Sequence, residues 1–186
     1  MKNQISSFIK VVTVAGGSLA GAATCTTTNT GQSTANAVPV HQMPHMKRPN
    51  LVVSDIERSL TIYRDILGLG ASEVRDGSAG SYSYPVFNFP ENASLRFVSL
   101  HEAAEQRILN LTEATGIQLP KPQSAPHMTA LVIGIEDLEE KFVQLEALGL
   151  KIIEPRISQG QDFKFVEQAF VDFDGHLVVC YQTLPE

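Results

Sequence analysis

Histidine is the side chain best suited to moving a proton or holding a metal near neutral pH, and this chain has five of them. His45 precedes Asp55 by the same interval as His127 precedes Asp137, and His41 lies one helical turn before His45. These three could form a displaced metal site, but the repeat places no carboxylate beside them, and chance spacing among five histidines is common. His127 alone reads in two ways, as a residue closing the strand entrance after Pro126, or as a pocket donor or general base. Arg48 also has two readings. Inside a cleft its guanidinium would grip a carboxylate, phosphate or enolate oxygen bidentately, whereas on a frayed strand end it is a solvated charge. Asn50, two residues on, shares its strand face and would add a polar contact. Tyr84 and Tyr181 carry hydroxyls that need partners, and either would line a pocket. Tyr82, Phe87, Phe89, Phe97 and Val179 are further cleft candidates, and of these the Phe residues, on alternating strands, read as core.

The elements that must position these residues come from one unit that occurs twice. Asn50 to Gly70 (NLVVSDIERSLTIYRDILGLG) is partly echoed by Ala130 to Gly149 (ALVIGIEDLEEKFVQLEALG), roughly 80 residues later. Each copy has a β-branched run, an acidic helix start, apolar residues three and four apart, and a Gly stop. The first half is expected to hold a strand over Pro49 to Val53, a helix over Ile56 to Leu67, and strands around Ser72 to Arg75, Tyr82 to Phe89 and Ser94 to Leu100. His101 to Gly116 has helical character. LPKPQSAP, from Leu119 to Pro126, is a linker because Pro blocks regular pairing. The second half is expected to hold strands over Thr129 to Ile133, Lys151 to Glu154, Phe165 to Asp172 and Leu177 to Gln182, with a helix over Asp137 to Leu148. The DFDGHL run reads as a tight turn, with Gly175 at positive φ and the Asp side chains capping local amides.

Asp55, Ser59, Tyr63, Leu67 and Gly68 in the first copy, and the closing stretch FVDFDGHLVVCYQ from Phe170 to Gln182, resemble the vicinal oxygen chelate (VOC) superfamily. That superfamily includes glyoxalase I, bleomycin- and fosfomycin-resistance proteins and extradiol dioxygenases. The resemblance covers about Met46 to Gln182 and implies an α+β fold. Two βαβββ repeats would form one curved, cleft-enclosing mixed sheet, with halves at about 46–118 and 127–184 of a domain spanning 46–184. In metal-dependent relatives a His or Gln on the opening strand, a second His on its counterpart and Glu residues on the closing strands hold a divalent cation. Mapped onto this chain, those positions fall on Arg48, on Ala130 or the neighbouring His127, on Val179 and about Phe97. Arg, Val and Phe cannot donate to a metal, so the usual centre is expected to be missing and no cofactor is required. Arg48 would then replace the metal as electrophile.

The chain start reads differently. Lys2 and Lys10 flank a polar segment followed by an apolar, small-residue stretch from Val11 to Ala23, which is the pattern of a secretory signal peptide. Residues 1–24 are read as that signal and 25–45, rich in Thr, Asn, Ser, Gln and Pro, as a flexible tether. Cleavage after Ala23 or before Cys25 are both open, and the second would lipidate Cys25 and make the membrane a partner through that anchor alone. The protein is thus expected to be exported: periplasmic, a membrane-anchored lipoprotein, or secreted. Cys180 reads as a small apolar residue of the last strand. A formal charge of −6 with no basic stripe argues against nucleic acid.

The function expected from this reading is binding of a small organic molecule in the cleft. The cleft would sequester it or promote metal-free lyase or isomerase chemistry. The alternative is a metal-dependent lyase or dioxygenase resembling lactoylglutathione lyase, using His127 and ligands placed elsewhere. A third class is a structural or partner-binding lipoprotein with a filled cleft. A homodimer is implied only by analogy with relatives that pair halves between subunits.

Overall fold

The computed structural model describes residues 46–122 and 125–185. The signal peptide, the tether, Cys25, His41 and His45 lie outside them. Strand β1 (Asn50–Val53) leads into α1 (Ile56–Leu60), whose start is capped by Asp55: its side chain accepts from Arg58 N at 3.0 Å. The helix continues as a π-helical stretch, Thr61–Ile66, before Gly68 stops it at φ +88°. Ile56, Ser59, Leu60 and Tyr63 form its buried stripe. Two fragments, β2 (Gly70–Ala71) and β3 (Arg75–Asp76), follow, then a short helix α2 (Ser83–Phe87), β4 (Ser94–His101) and β5 (Leu109–Thr115).

The second half repeats the plan more regularly: β6 (Ala130–Gly134), α3 (Leu138–Ala147), β7 (Lys151–Gln159), β8 (Lys164–Val171) and β9 (Leu177–Leu184). Leu138, Phe142 and Leu145 are the buried stripe of α3, and Gly149 at φ +77° stops it. Strand β7 carries Pro155 at a register shift between Ile153 and Arg156, as suits an edge strand that need not donate there. The helices share one core. Tyr63, Leu60 and Val53 of the first half belong to the same buried cluster as Phe142, Leu145, Phe170 and Val178 of the second, with Phe142 edge-on to Phe170 at 6.0 Å.

The single curved sheet expected around a cleft is not formed. The strands make two open sheets, one in the order β1-β5-β4-β2 with β3 also on β4, the other β6-β9-β8-β7. Among the described residues, strand β1 pairs only with β5, and β6 only with β9, both in parallel. One curving sheet would need a hydrogen-bonded ladder joining the halves, and none exists among the described residues.

Two first-half elements also differ from expectation. Tyr82 to Phe89, read as a strand, contains α2, which ends at Asn88 in the left-handed conformation. Tyr84 and Phe89 pack on Ala93, Leu95 and Ala114 as a cover over the sheet. The helical stretch after His101 is instead β5, held between β1 and β4. Tertiary pairing overrides the propensity of its Glu and Ala residues.

Candidate functional site

With β5 identified as the closing strand of the first half, the residues that could do chemistry can be placed. Glu113 on β5 faces the helix side. Its Oε2 accepts from Ile56 N at 2.9 Å, and it forms a bidentate pair with Arg96 at 2.8 and 2.7 Å. The Arg96 guanidinium holds the Glu113 carboxyl below its ordinary range, opposed by burial. This carboxylate is therefore committed to capping α1. The opposite face of β5 carries Asn110, Thr112 and Ala114. Phe97, taken from sequence as the closing-strand position, lies on β4 opposite Thr112.

The halves meet through the DFDGHL turn, which forms as read. Asp172 Oδ1 accepts from Asp174 N at 3.0 Å and from His176 N at 2.8 Å, with Gly175 at φ +91°. The turn also reaches across to the first half, which local sequence does not reveal. Asp174 Oδ1 accepts from Ser54 N at 3.1 Å and Oγ at 2.5 Å, His176 Nε2 donates to Val52 O at 2.9 Å, and Tyr63 Oη donates to Asp172 Oδ2 at 2.8 Å. Burial, reinforced by Asp172, pushes the Tyr63 phenol well above its ordinary pKa, so it stays a donor.

Beside this junction is a cavity of about 710 Å³, lined by β1, the linker around Pro120, the approach to β6 from His127, and the turn from Phe173 to Leu177. Asn50 and His127 both line it. Arg58 stands on its wall, 3.5 Å from Asp174 Oδ1 and 4.7 Å above the Phe173 ring. Asp174 Oδ2 is buried with no hydrogen-bond partner. Sequence reading missed Ser54, Arg58, Asp174 and His176 as pocket residues. The one available signal was that DFDGHL holds more polar groups than a tight turn consumes.

Three sequence-predicted site residues lie outside this lining. Arg48 precedes β1 and is partly buried. Tyr84 donates to Ala93 O at 2.8 Å within the cover segment. Tyr181 is 38% exposed on β9, packed over Gly134. A larger groove, about 890 Å³, runs along α3 between Phe142, Val143 and Ile157, rimmed by Glu139 and Glu140; none of the predicted site residues lines it.

A divalent cation does not fit the donor set. Among the described residues no group of three or more His, Cys, Asp or Glu side chains is placed to hold an ion. On the faces turned away from the helices, the opening and closing strands carry Asn50 and the fully buried Thr112 in one half, and Val132 and Val179 in the other, neutral or apolar groups unsuited to it. Cys180 is buried, and desolvation pushes its thiol up to about 12, so it packs rather than reacts.

Over residues 42–179 the chain matches the family described as the Glyoxalase/Bleomycin resistance protein/Dioxygenase superfamily. No curated protein sequence matches it. Among solved structures, it is similar to a glyoxalase family protein from Bacillus cereus, with TM-score 0.61 and 14% identity over 80% of this chain and 100% of that one. It is also similar to a point mutant of the genomically encoded fosfomycin resistance protein from Listeria monocytogenes, complexed with Mn(II) and 1S,2S-dihydroxypropylphosphonic acid. That match has TM-score 0.50 and 14% identity over 77% of this chain and 95% of that one.

Proposed function

This chain belongs to the Glyoxalase/Bleomycin resistance protein/Dioxygenase superfamily, and on that premise we propose that it is an exported member binding a small organic molecule between its halves without a metal ion. The observation that carries this reading is the 710 Å³ cavity, which has the volume of a small-molecule site and is lined by both Asn50 and His127. Its wall mixes an apolar body, from Phe173, Leu131 and Met128, with a few polar groups able to fix orientation. The buried, unpartnered oxygen of Asp174 suits a hydrogen-bond donor on the ligand. Whether the molecule is held or transformed turns on His127, whose imidazole lines the cavity and is not committed to Val52 O as that of His176 is. Export rests on the charged and apolar chain start, with lipidation at Cys25 as its membrane-anchored form.

Native mass spectrometry of protein purified without chelators tests the reading. An organic adduct is expected at one per chain, weakened in Asn50→Ala and His127→Ala and retained in Tyr181→Ala. One firmly bound metal ion per chain, lost on His127→Ala, would establish the metal-dependent lyase or dioxygenase instead.

A further inference from the structure

The face of the first sheet turned away from α1 gathers three arginines that form no ion pair among the described residues. Parallel pairing sets Asn50 opposite Asn110, and Asn110 N donates to Pro49 O at 3.1 Å. Arg48 and Arg107, which precede these strands, therefore emerge at one end of the sheet. Arg75 on β3 sits opposite Phe97, itself opposite Thr112, so Arg75 shares the face of Thr112 and its bonded partner Asn50. Arg48 Nη1 is buried without a hydrogen-bond partner. Burial lowers the Arg48 pKa, and the charges of Arg107 and Arg75 add to that shift. None of the three forms an ion pair among the described residues.

A guanidinium with one buried, unpartnered nitrogen is costly among like charges unless an acceptor arrives from elsewhere. The surrounding amides are set for the same task. Asn50 Oδ1 accepts from Thr112 Oγ1 at 2.9 Å and Asn110 Oδ1 from Ser99 Oγ at 2.9 Å, which leaves both amide nitrogens to donate. This face thus offers donors and cations together, in a chain of net charge −6.

We infer that Arg48, Arg75 and Arg107, with the amides of Asn50 and Asn110, form an oxyanion site for a phosphoryl or carboxylate group. Asn50 borders both this site and the cavity described above, so the anion would be one end of a molecule whose body lies in the cavity. That last clause rests on the proposed function; the anion site does not.

The test uses the full chain and two probes, inorganic phosphate and acetate, each followed by thermal shift and calorimetric titration at low and high salt. At least one probe is expected to bind saturably and raise the midpoint. Phosphate alone would assign a phosphoryl group, and acetate alone a carboxylate. Affinity should fall about tenfold or more in Arg48→Gln and in Arg48→Lys, which keeps the charge but loses the planar fork, and severalfold in Arg75→Gln and Arg107→Gln. Arg64→Gln, on the exposed pair with Asp65, should bind like the parent. Arg48→Gln should fold with an unlowered midpoint in the absence of anion, because it removes a charge whose Nη1 is buried without a partner. Absence of saturable binding by both probes, or equal loss in Arg64→Gln, would overturn the site. Anion binding as expected, with no organic adduct in native spectra, would sink the cavity reading and leave this site standing.

Discussion

The two halves solve the same structural problem with different chemistry. In each, a side chain of the closing strand caps the opening helix: Glu113 Oε2 accepts from Ile56 N, and Gln182 Oε1 accepts from Leu138 N, both at 2.9 Å. A helix start leaves amides that must be satisfied in any copy of this unit, so the device persists through the repeat. The first version is charged and tied to Arg96; the second is neutral. The faces turned away from the helices have no such obligation, and there the halves part. The first presents Arg48, Asn50, Asn110 and Thr112. The second presents Val132, 63% exposed, with Val179 and Tyr181. Helix capping constrains both halves, whereas the opposite faces are free to differ: one is a largely buried polar network of Asn50, Thr112, Ser99 and Asn110, the other is apolar and exposed. A metal site needing donors from both faces cannot be assembled on a pair so unequal.

The largest expected effect separates the two caps. Glu113→Ala should cost about 3 kcal/mol, because it orphans Ile56 N and removes a charge-assisted pair, while Gln182→Ala should cost about 1 kcal/mol. Urea unfolding of both variants measures the difference, and equal costs would mean that the charge adds nothing.

Gly175→Ala comes next, at about 2 kcal/mol. Its φ of +91° strains any L side chain, and the new Cβ would stand 2.3 Å from Pro122 Cβ, in the linker that lines the cavity. Thermal midpoints check it, and ligand capture should fall with them. Tyr63→Phe should cost about 1–2 kcal/mol by leaving Asp172 Oδ2 without its partner across the halves. A double-mutant cycle with Asp172→Asn isolates that link.

The smallest effect is in the pH profile. The folded pKa of Glu113 lies below its unfolded value near 4.5, so its contribution is fully present above that value and disappears as pH falls through the folded one. Glu113→Gln should therefore flatten the acid limb of stability below about pH 4.5, whereas Gln182→Ala should leave its slope unchanged. Acid titration of thermal midpoints reads this.

Much of the scaffold was legible locally. Asp55 before an apolar stripe spaced by three and four, Gly68 and Gly149 after each stripe, and the Asp-x-Asp-Gly turn act through backbone geometry and neighbours a few residues away. Those rules belong to the sequence by itself, and the helices and stops follow them. Leu109 to Thr115 did not yield to the same rules, because its Glu and Ala residues favour a helix until β1 and β4 bind it on both sides. Tyr82 to Phe89 alternated like a strand, but its aromatics were spent covering Leu95 and Ala114.

The candidate site was less legible still. Asn50 and His127 could be nominated from position in the repeat. Arg75 and Arg107 come from a two-residue strand and a loop with no periodic signal, and only sheet register brings them toward Arg48. Asp174 and His176 read as turn residues, and only the docking of that turn on Ser54 and Val52 makes them part of a cavity. The sequence by itself determined the repeat, its helices and the poverty of metal donors. Tertiary structure decided which strand closes the first half, that two sheets stay open, and where charge gathers. Pairing and electrostatics act between residues distant in the chain, and no local pattern encodes those distances.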